Sequence, residues 1–305
     1  TSKLFLLSKA IDNYGKIIIA SKQNCSLIIG KFKNQIYIDK GYHKEISDKI
    51  YKKIKKKDAL IISLDEENAV FYSDFSGLNY RFPEKVFDIF DLIFLWGNKV
   101  FNFLKKNRNL DKNIKKILIS GHTKFELLKP NYDYLYKEKS TFIKKKYGEF
   151  ILVNTDFGLA NNILGQDIVR EKYSSRISRL EGAISYQSKQ IKLFLEMIEY
   201  LSQRVKYNIV IRPHPEESIE IYKYLEKKYK NVVVVFEGDV IPWLIACKRM
   251  IHHDCTTSIE YAMIGKVPIS YAAYLDPAYS TQVPLEISKK IKKKEELLDY
   301  IVNDK

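Results

Sequence analysis

The sequence predicts an α/β protein built from two doubly wound parallel-sheet domains facing a cleft. Three observations carry this expectation. Short apolar runs of strand length alternate with longer segments of helical period through both halves of the chain. At 305 residues and 46% hydrophobic content, there is material for two cores of ordinary size. The polar clusters Asp65–Glu67, Asp156, Arg212–His214, Glu237–Asp239 and His252–Ser258 each fall just after an expected strand. In wound parallel sheets, ligands bind there, outside the carboxyl ends of the strands.

Taken in order, Thr1–Tyr14 reads as a helix with Leu4, Leu6, Leu7 and Ile11 toward a core, ended by Gly15. Lys16–Ala20 (KIIIA) has the composition of a buried strand. A helix-first start is unusual for an alternating chain, and a first strand is expected to be missing ahead of Thr1. Gln35–Asp39 is a strand, followed by the turn Lys40-Gly41 and a helix over Lys44–Ile54. Ala59–Leu64, Asp91–Trp96 and Lys116–Ser120 are strands, with a helix over Lys99–Lys106 and a short one ending at Pro130. Asn131–Tyr147 has no clean period and reads as a connection.

Phe150–Asn154 opens the second half, and Thr155–Arg179 reads as irregular and polar. Glu181–Val205 carries Ile184, Ile191, Leu195, Ile198 and Leu201 at helical spacing. Asn208–Ile211 and Val232–Phe236 are strands, with a helix over Ser218–Lys228 between them and a short helix around Trp243. Met250 and Ile251 end a strand at His252-His253, Thr257–Ile264 is a helix stopped by Gly265, Val267–Tyr271 is a strand, and Glu295–Val302 is the final helix. The expected limits are residues 1–130 for the first domain, 131–148 for the connection, 149–285 for the second domain and 286–305 for a C-terminal helix.

Composition narrows the function. No apolar run approaches the ~18–20 residues of a membrane span. Cys25, Cys247 and Cys255 have no paired spacing, which fits a reducing cytoplasm and no zinc site. The net charge of +15 comes mostly from Lys, only a handful of the 52 basic residues being Arg. Base recognition leans on Arg forks, so nucleic acid is not the expected partner. The runs Lys52–Lys57 and Lys289–Lys294 suit anionic lipid headgroups and peripheral association with the inner membrane, although a solvated lysine-rich surface reads the same way. GxGxxG, Walker A, HExxH and GxSxG are all absent, which disfavours dinucleotide oxidoreductases, P-loop NTPases, zincins and α/β-hydrolases.

Several clusters carry chemistry. Thr257 and Glu260 have capping-box spacing, and a helix start bearing Thr256, Thr257 and Ser258 suits a phosphate. In Arg212-Pro213-His214-Pro215 the prolines stiffen the loop, so that His214 suits a general acid or a phosphate donor; a solvent-facing turn is the plain reading. Asp156 is a nucleophile, a base or simply a helix cap. Glu66 and Glu67 sit where an acceptor would lie, or on a hydrophilic loop. Arg170, Arg176 and Arg179 would neutralise an acidic substrate or line a solvated helix start.

Together, YIDKGY (Tyr37–Tyr42), SLDEE (Ser63–Glu67), FLWGN (Phe94–Asn98), SGHTKFELLKP (Ser120–Pro130), NTDFGLAN (Asn154–Asn161), IRPHP (Ile211–Pro215), FEGDVIPW (Phe236–Trp243) and HHDCTTSIEYAMIGK (His252–Lys266) resemble the bacterial surface carbohydrate biosynthesis proteins. These are GT-B glycosyltransferases related to the retaining β-Kdo transferases of capsule and O-antigen (lipopolysaccharide) assembly. The resemblance runs over nearly the whole chain. It implies two Rossmann-like domains, an N-terminal half for a glycan or glycolipid acceptor and a C-terminal half for a CMP-activated ulosonic acid, with no metal or cofactor. Asp156 would be the nucleophile, and His214 and His252 would flank the CMP phosphate and sugar carboxylate. Thr256, Thr257 and Ser258 would hold the phosphate, supported by Arg212 and Glu260, while Glu237 and Gly238 would meet the cytosine. Lys40, Glu66 and Glu67 would serve the acceptor side. His253-Asp254 departs from the smaller polar residues expected there. The competing readings are a GT-B enzyme with a UDP-sugar or CDP-glycerol donor, and a non-enzymatic basic module that binds nucleic acid or membrane.

Overall fold

The computed structural model describes residues 2–303 apart from Gly30, Lys57, Asp58, Asn68, Val70, Ser73, Asp74 and Glu237. The chain divides into two units. Unit 1 (1–69 and 77–127) contains α1 (Ser2–Tyr14), α2 (Lys22–Ile28), β1 (Ile36–Asp39), α3 (Lys44–Lys55), β2 (Leu60–Leu64), α4 (Ser76–Arg81), α5 (Val86–Ile89), β3 (Leu92–Leu95), α6 (Asn98–Asn107), β4 (Ile117–Ile119) and α7 (Thr123–Glu126). Unit 2 (70–76 and 128–305) contains α8 (Tyr134–Tyr147), β5 (Phe150–Asn154), α9 (Gln166–Tyr173), α10 (Leu180–Ser202), β6 (Asn208–Arg212), α11 (Glu220–Lys228), β7 (Val232–Val234), α12 (Ile241–Ala246), β8 (Arg249–His252), α13 (Thr257–Met263), β9 (Ile269–Tyr271), α14 (Gln282–Glu286), β10 (Lys289–Ile291) and α15 (Lys294–Val302).

Both sheets are parallel, as the alternating pattern predicts. Unit 1 has the order β1-β2-β3-β4 and unit 2 the order β10-β9-β8-β5-β6-β7. In unit 2, β5 is central and buried along its whole length, hence its unbroken apolar run. Phe150, Ile151, Leu152 and Val153 are each fully buried, worth about 1.5–3 kcal/mol per side chain. Phe194, Met197, Ile198 and Leu201 of α10 close one face of this core. Lys266 donates to the carbonyls of Leu244, Ile245 and Cys247, which satisfies the free C-terminal end of α12.

In unit 1, α3 turns Ser47, Ile50, Tyr51 and Ile54 inward at helical spacing. Ile61, Ile93 and Leu95 are buried on one face of the sheet, whereas Ile36, Ile38, Leu60 and Leu118 share the other face and remain exposed.

Several expectations are corrected. Lys16–Ala20 forms no strand, and Ile18 and Ile19 are exposed. Residues 131–148, read as a connection without a clean period, are mostly helix: α8 fills most of the stretch, buries Tyr136, Ser140 and Ile143, and packs on α12. The irregular segment after β5 contains α9. The C-terminal stretch holds β10, paired with β9, before its helix.

Candidate functional site

Unit 2 gathers its chemistry at the carboxyl ends of β5, β6 and β8. Asn154 lies beside Arg212 on one side and His252 on the other. Strand order reverses between β5 and β8, since the chain winds outward to β7 in one direction and to β10 in the other. Such a switch point opens a crevice above the sheet. Three loops leave it together, carrying Asp156, His214 and His253.

The first two loops are joined by Glu217, which is fully buried. Its Oε1 accepts from Thr155 Oγ1 (2.7 Å), Phe157 N (3.1 Å) and His214 N (3.0 Å), and its Oε2 from Tyr222 OH (2.6 Å). Ser218 N donates to Asn161 O, and Ile163 N to Glu216 O. A Cβ on Gly158 would stand 3.3 Å from Glu216 Cβ and 3.8 Å from His214 Nδ1, so glycine permits the close approach of the two loops. Asp156 and His214 are thus positioned by one carboxylate that looks like a surface acid in the sequence.

His214 is half-buried, and its Nδ1 accepts from Glu216 N at 3.2 Å. A neutral ring then carries its proton on Nε2, which is left as a hydrogen-bond donor. The Asp156 loop is anchored by Gln187 Nε2, which donates to the Asp156 carbonyl at 3.0 Å. Asp254 is buried in the left-handed region (φ 46°), and Thr281 N donates to its Oδ2. Burial first, and the Asp156 charge after it, push the Asp254 carboxyl up to about 8. Asp254 is a site residue that sequence reading marks only as a departure from pattern.

Arg212 Nη2 donates to the Gly238 carbonyl at 3.0 Å, and its guanidinium lies 5.1 Å from the Trp243 ring centroid. It therefore ties the end of β6 to the next strand-end loop. Gly238 has φ +79°, and the position a Cβ would take is open. Glu237, expected beside it, lies outside the described residues.

The histidine-and-hydroxyl stretch departs from expectation. His252 is fully buried, with Nε2 2.8 Å from Ser288 Oγ. Burial pushes its pKa down to about 3, so the ring is neutral, with Nε2 engaged by Ser288. His253 is equally buried, 4.9 Å from the Phe157 ring, with its pKa also lowered to about 3. The capping box is not formed: Thr256 occupies the cap position of α13 without a side-chain bond. Thr257 Oγ1 accepts from Asn154 Nδ2 and donates to Cys255 Sγ, Ser258 Oγ donates to Cys255 O, and Glu260 is buried. Two of the three hydroxyls are thus committed to the chain, and Thr256 stays half-buried at the helix start. Arg170 is engaged with Glu181 on the surface.

Unit 1 has its own strand-end cluster. Glu66 N donates to Lys40 O, which brings the ends of β1 and β2 together. Burial alone would raise the Glu66 carboxyl, but Lys3 at 2.8 Å, with Lys40 and His122 nearby, holds it below the ordinary value. Glu67 pairs with Arg81, which also grips the buried Asp65. Trp96 Nε1 donates to Asp65 O and its ring lies 4.9 Å from His122, whose pKa burial lowers to about 4. Lys22 and Tyr51 hold the buried Asp39 beneath Gly41. Asp65 was marked in the sequence only as part of the strand-end cluster Asp65–Glu67, and His122, Arg81 and Asp39 were given no role there, although an acid closing an apolar run was a signal available for Asp39 as well. Among the described residues, no group of three or more His, Cys, Asp or Glu side chains is arranged to hold a metal ion. No described helix is long and apolar enough to cross a membrane.

Two parallel-sheet α/β domains of four and six strands define a GT-B-type fold. Solved structures share it. The UDP-GlcNAc 2-epimerase of Methanocaldococcus jannaschii aligns with a TM-score of 0.58 at 12% identity, over 92% of this chain and 72% of the epimerase. The Neisseria meningitidis UDP-GlcNAc 2-epimerase bound to UDP-GlcNAc gives 0.53 at 12% identity, over 99% and 81%. The wall teichoic acid polymerase TagF, as its H444N variant, gives 0.50 at 10% identity, over 87% and 63%. No protein-family model and no curated protein matches the sequence. At such identities the likeness concerns the fold.

Proposed function

We propose that this protein is a glycosyltransferase of surface polysaccharide or glycolipid assembly that binds a nucleotide-activated sugar at the strand-end site of unit 2. The observation that carries the proposal is that Asp156, His214 and Arg212 all lie at the strand ends of the switch point, with the Asp156 and His214 loops joined by Glu217. His214 Nε2–H and the Arg212 guanidinium supply donors for a phosphate leaving group. Asp156 supplies a carboxylate for a cationic transition state.

The donor favoured by the sequence motifs is a CMP-activated ulosonic acid. In this reading, Asp156 attacks the ketosidic carbon as the bond to the CMP phosphate oxygen breaks, and CMP leaves with the bonding pair. The acceptor hydroxyl then displaces Asp156 and gives up its proton. Two inversions produce net retention, as in retaining glycosidases. His214 would donate to the phosphate as it departs. His252 has no part in this scheme, because it is buried against Ser288.

A second donor class is favoured by a specific finding: epimerases of this fold bind UDP-GlcNAc in their solved complexes. A UDP-sugar would use the same phosphate donors. Thermal-shift titration with CMP, UMP, UDP and CDP decides between them. The larger shift with CMP supports the ulosonic acid, and the larger shift with UDP replaces it with a UDP-sugar. If no nucleotide shifts the melting temperature, the glycosyltransferase reading falls.

A further inference from the structure

We propose that a hollow between α2 and α3 in unit 1 is an anion site that takes a phosphate ester. The helical period of α3 divides its side chains. Ser47, Ile50, Tyr51 and Ile54 face the core. Lys49, Lys52, Lys53 and Lys56 fall at positions i, i+3, i+4 and i+7 and share the opposite stripe. α2 packs beside this stripe, and its Gln23 and Ser26 complete the lining together with Ile46. The hollow measures about 450 Å³, room for a phosphorylated headgroup rather than a bare ion.

The charge in this hollow is not balanced locally. Among the described side chains, no carboxylate pairs with any of the four lysines. Asp48 of the same helix is taken by Lys85 and Tyr42, and Lys53 reaches only the carbonyl of Ser26, at 3.1 Å. Like charges at helical neighbour positions repel. A helix C-terminus favours basic residues in its last turn, which accounts for part of the run. It does not account for Lys49 in mid-helix, or for Gln23 and Ser26 lining the same hollow. Lysine is a point-charge binder of phosphate, and several ammonium groups around one concavity fit a compact, doubly charged anion. Leu27, which follows the lining residue Ser26 on α2, is an apolar side chain 71% exposed. An exposed apolar side chain on that helix also suits a phosphate carried by a lipid.

The test uses the full chain and two charge-matched variants. One is Lys49→Gln/Lys52→Gln/Lys53→Gln/Lys56→Gln, and the other is Lys289→Gln/Lys290→Gln/Lys292→Gln/Lys293→Gln. Neither touches the strand-end site of unit 2, so the result stands apart from the donor reading. Binding is measured to sn-glycerol 3-phosphate in solution, to phosphatidylcholine vesicles, and to vesicles that also contain phosphatidylglycerol, with circular dichroism confirming the fold of each variant. The α3 variant should lose at least about tenfold in affinity for the phosphorylated probe, since each lysine near an anionic surface contributes about fivefold before screening. The second variant should retain its binding. Affinity for glycerol phosphate alone identifies a soluble ester as the source, and affinity only for phosphatidylglycerol vesicles identifies a lipid. Equal losses in the two variants would reduce the effect to net charge and overturn the site. So would failure of the unmodified chain to bind either probe, or equal competition by duplex DNA.

Discussion

Replacing Glu217 by Gln should loosen the strand-end site of unit 2 without emptying its volume. The Glu217 carboxylate accepts four hydrogen bonds from two backbone N–H groups and two hydroxyls. Hydrogen bonds to a charged group contribute about 1.5–3 kcal/mol, and neutral ones about 0.5–1.5. A Gln that keeps its carbonyl toward Thr155, Phe157 and His214 should therefore lose about 1 kcal/mol in each of three bonds. Its amide would also face Tyr222 OH, whose proton can turn to Thr155 Oγ1 at 3.2 Å. The net loss is about 3 kcal/mol, which at about 2–4 °C per kcal/mol lowers the unit 2 transition by about 6–12 °C. Glu217→Ala should cost more, because it leaves buried donors without an acceptor. Calorimetry separates the two variants, and single-turnover rates on the folded protein report whether Asp156 and His214 remain aligned. A fall of less than about 2 °C for Glu217→Gln, with unchanged turnover, would refute the view that Glu217 positions these loops.

Asp156→Ala should abolish transfer while leaving nucleotide affinity within a few-fold, because a nucleophile acts on the chemical step; single-turnover rates and calorimetry on the variant decide this, and retained turnover would return Asp156 to a structural role. His214→Ala should weaken nucleotide binding by one to two decades, for the loss of about 1.5–3 kcal/mol, and slow transfer further still. Asp254 carries a pH signature. With its carboxyl held near 8 by burial, the native state keeps a proton that the unfolded chain gives up near its ordinary value of 3.8. Stability should therefore fall as pH rises through this window, by up to about 1.4 kcal/mol per unit, and Asp254→Asn should flatten the fall in melting temperature between about pH 6.5 and 8. On the acid side, His252 and His253 resist protonation only when folded, so stability should fall as pH drops below about 6.5, and a melting temperature that rises there would contradict their burial.

Much of the fold was legible because strands buried on both faces leave continuous apolar runs. Phe150–Asn154 is read to the residue, and Asn208–Ile211 misses only Arg212. Lys16–Ala20 has the same composition but finds no neighbouring strand, and composition alone does not supply one. In Tyr134–Tyr147 the buried positions Tyr136, Ser140 and Ile143 do follow a helical period, but one of them is a serine and lysines surround them, so the stripe is faint in the sequence. The site divides in the same way. Strand-end loops announce themselves by polar residues after an apolar run, which is why Asp156, Arg212 and His214 were singled out. The direction in which each side chain turns depends on what lies above it.

The sequence by itself determined the alternation of strands and helices, the parallel sheets and the set of loops that carry the chemistry, because hydrophobic period and strand length are local properties. Only the tertiary structure decided which polar residues are available. It buried His252 against Ser288 and committed Thr257 and Ser258 to the chain. It also made Glu217, a surface-like acid in the sequence, the acceptor of four bonds from residues up to 62 positions away. Burial and hydrogen-bond satisfaction are set by neighbours distant in the chain, and no local pattern encodes them.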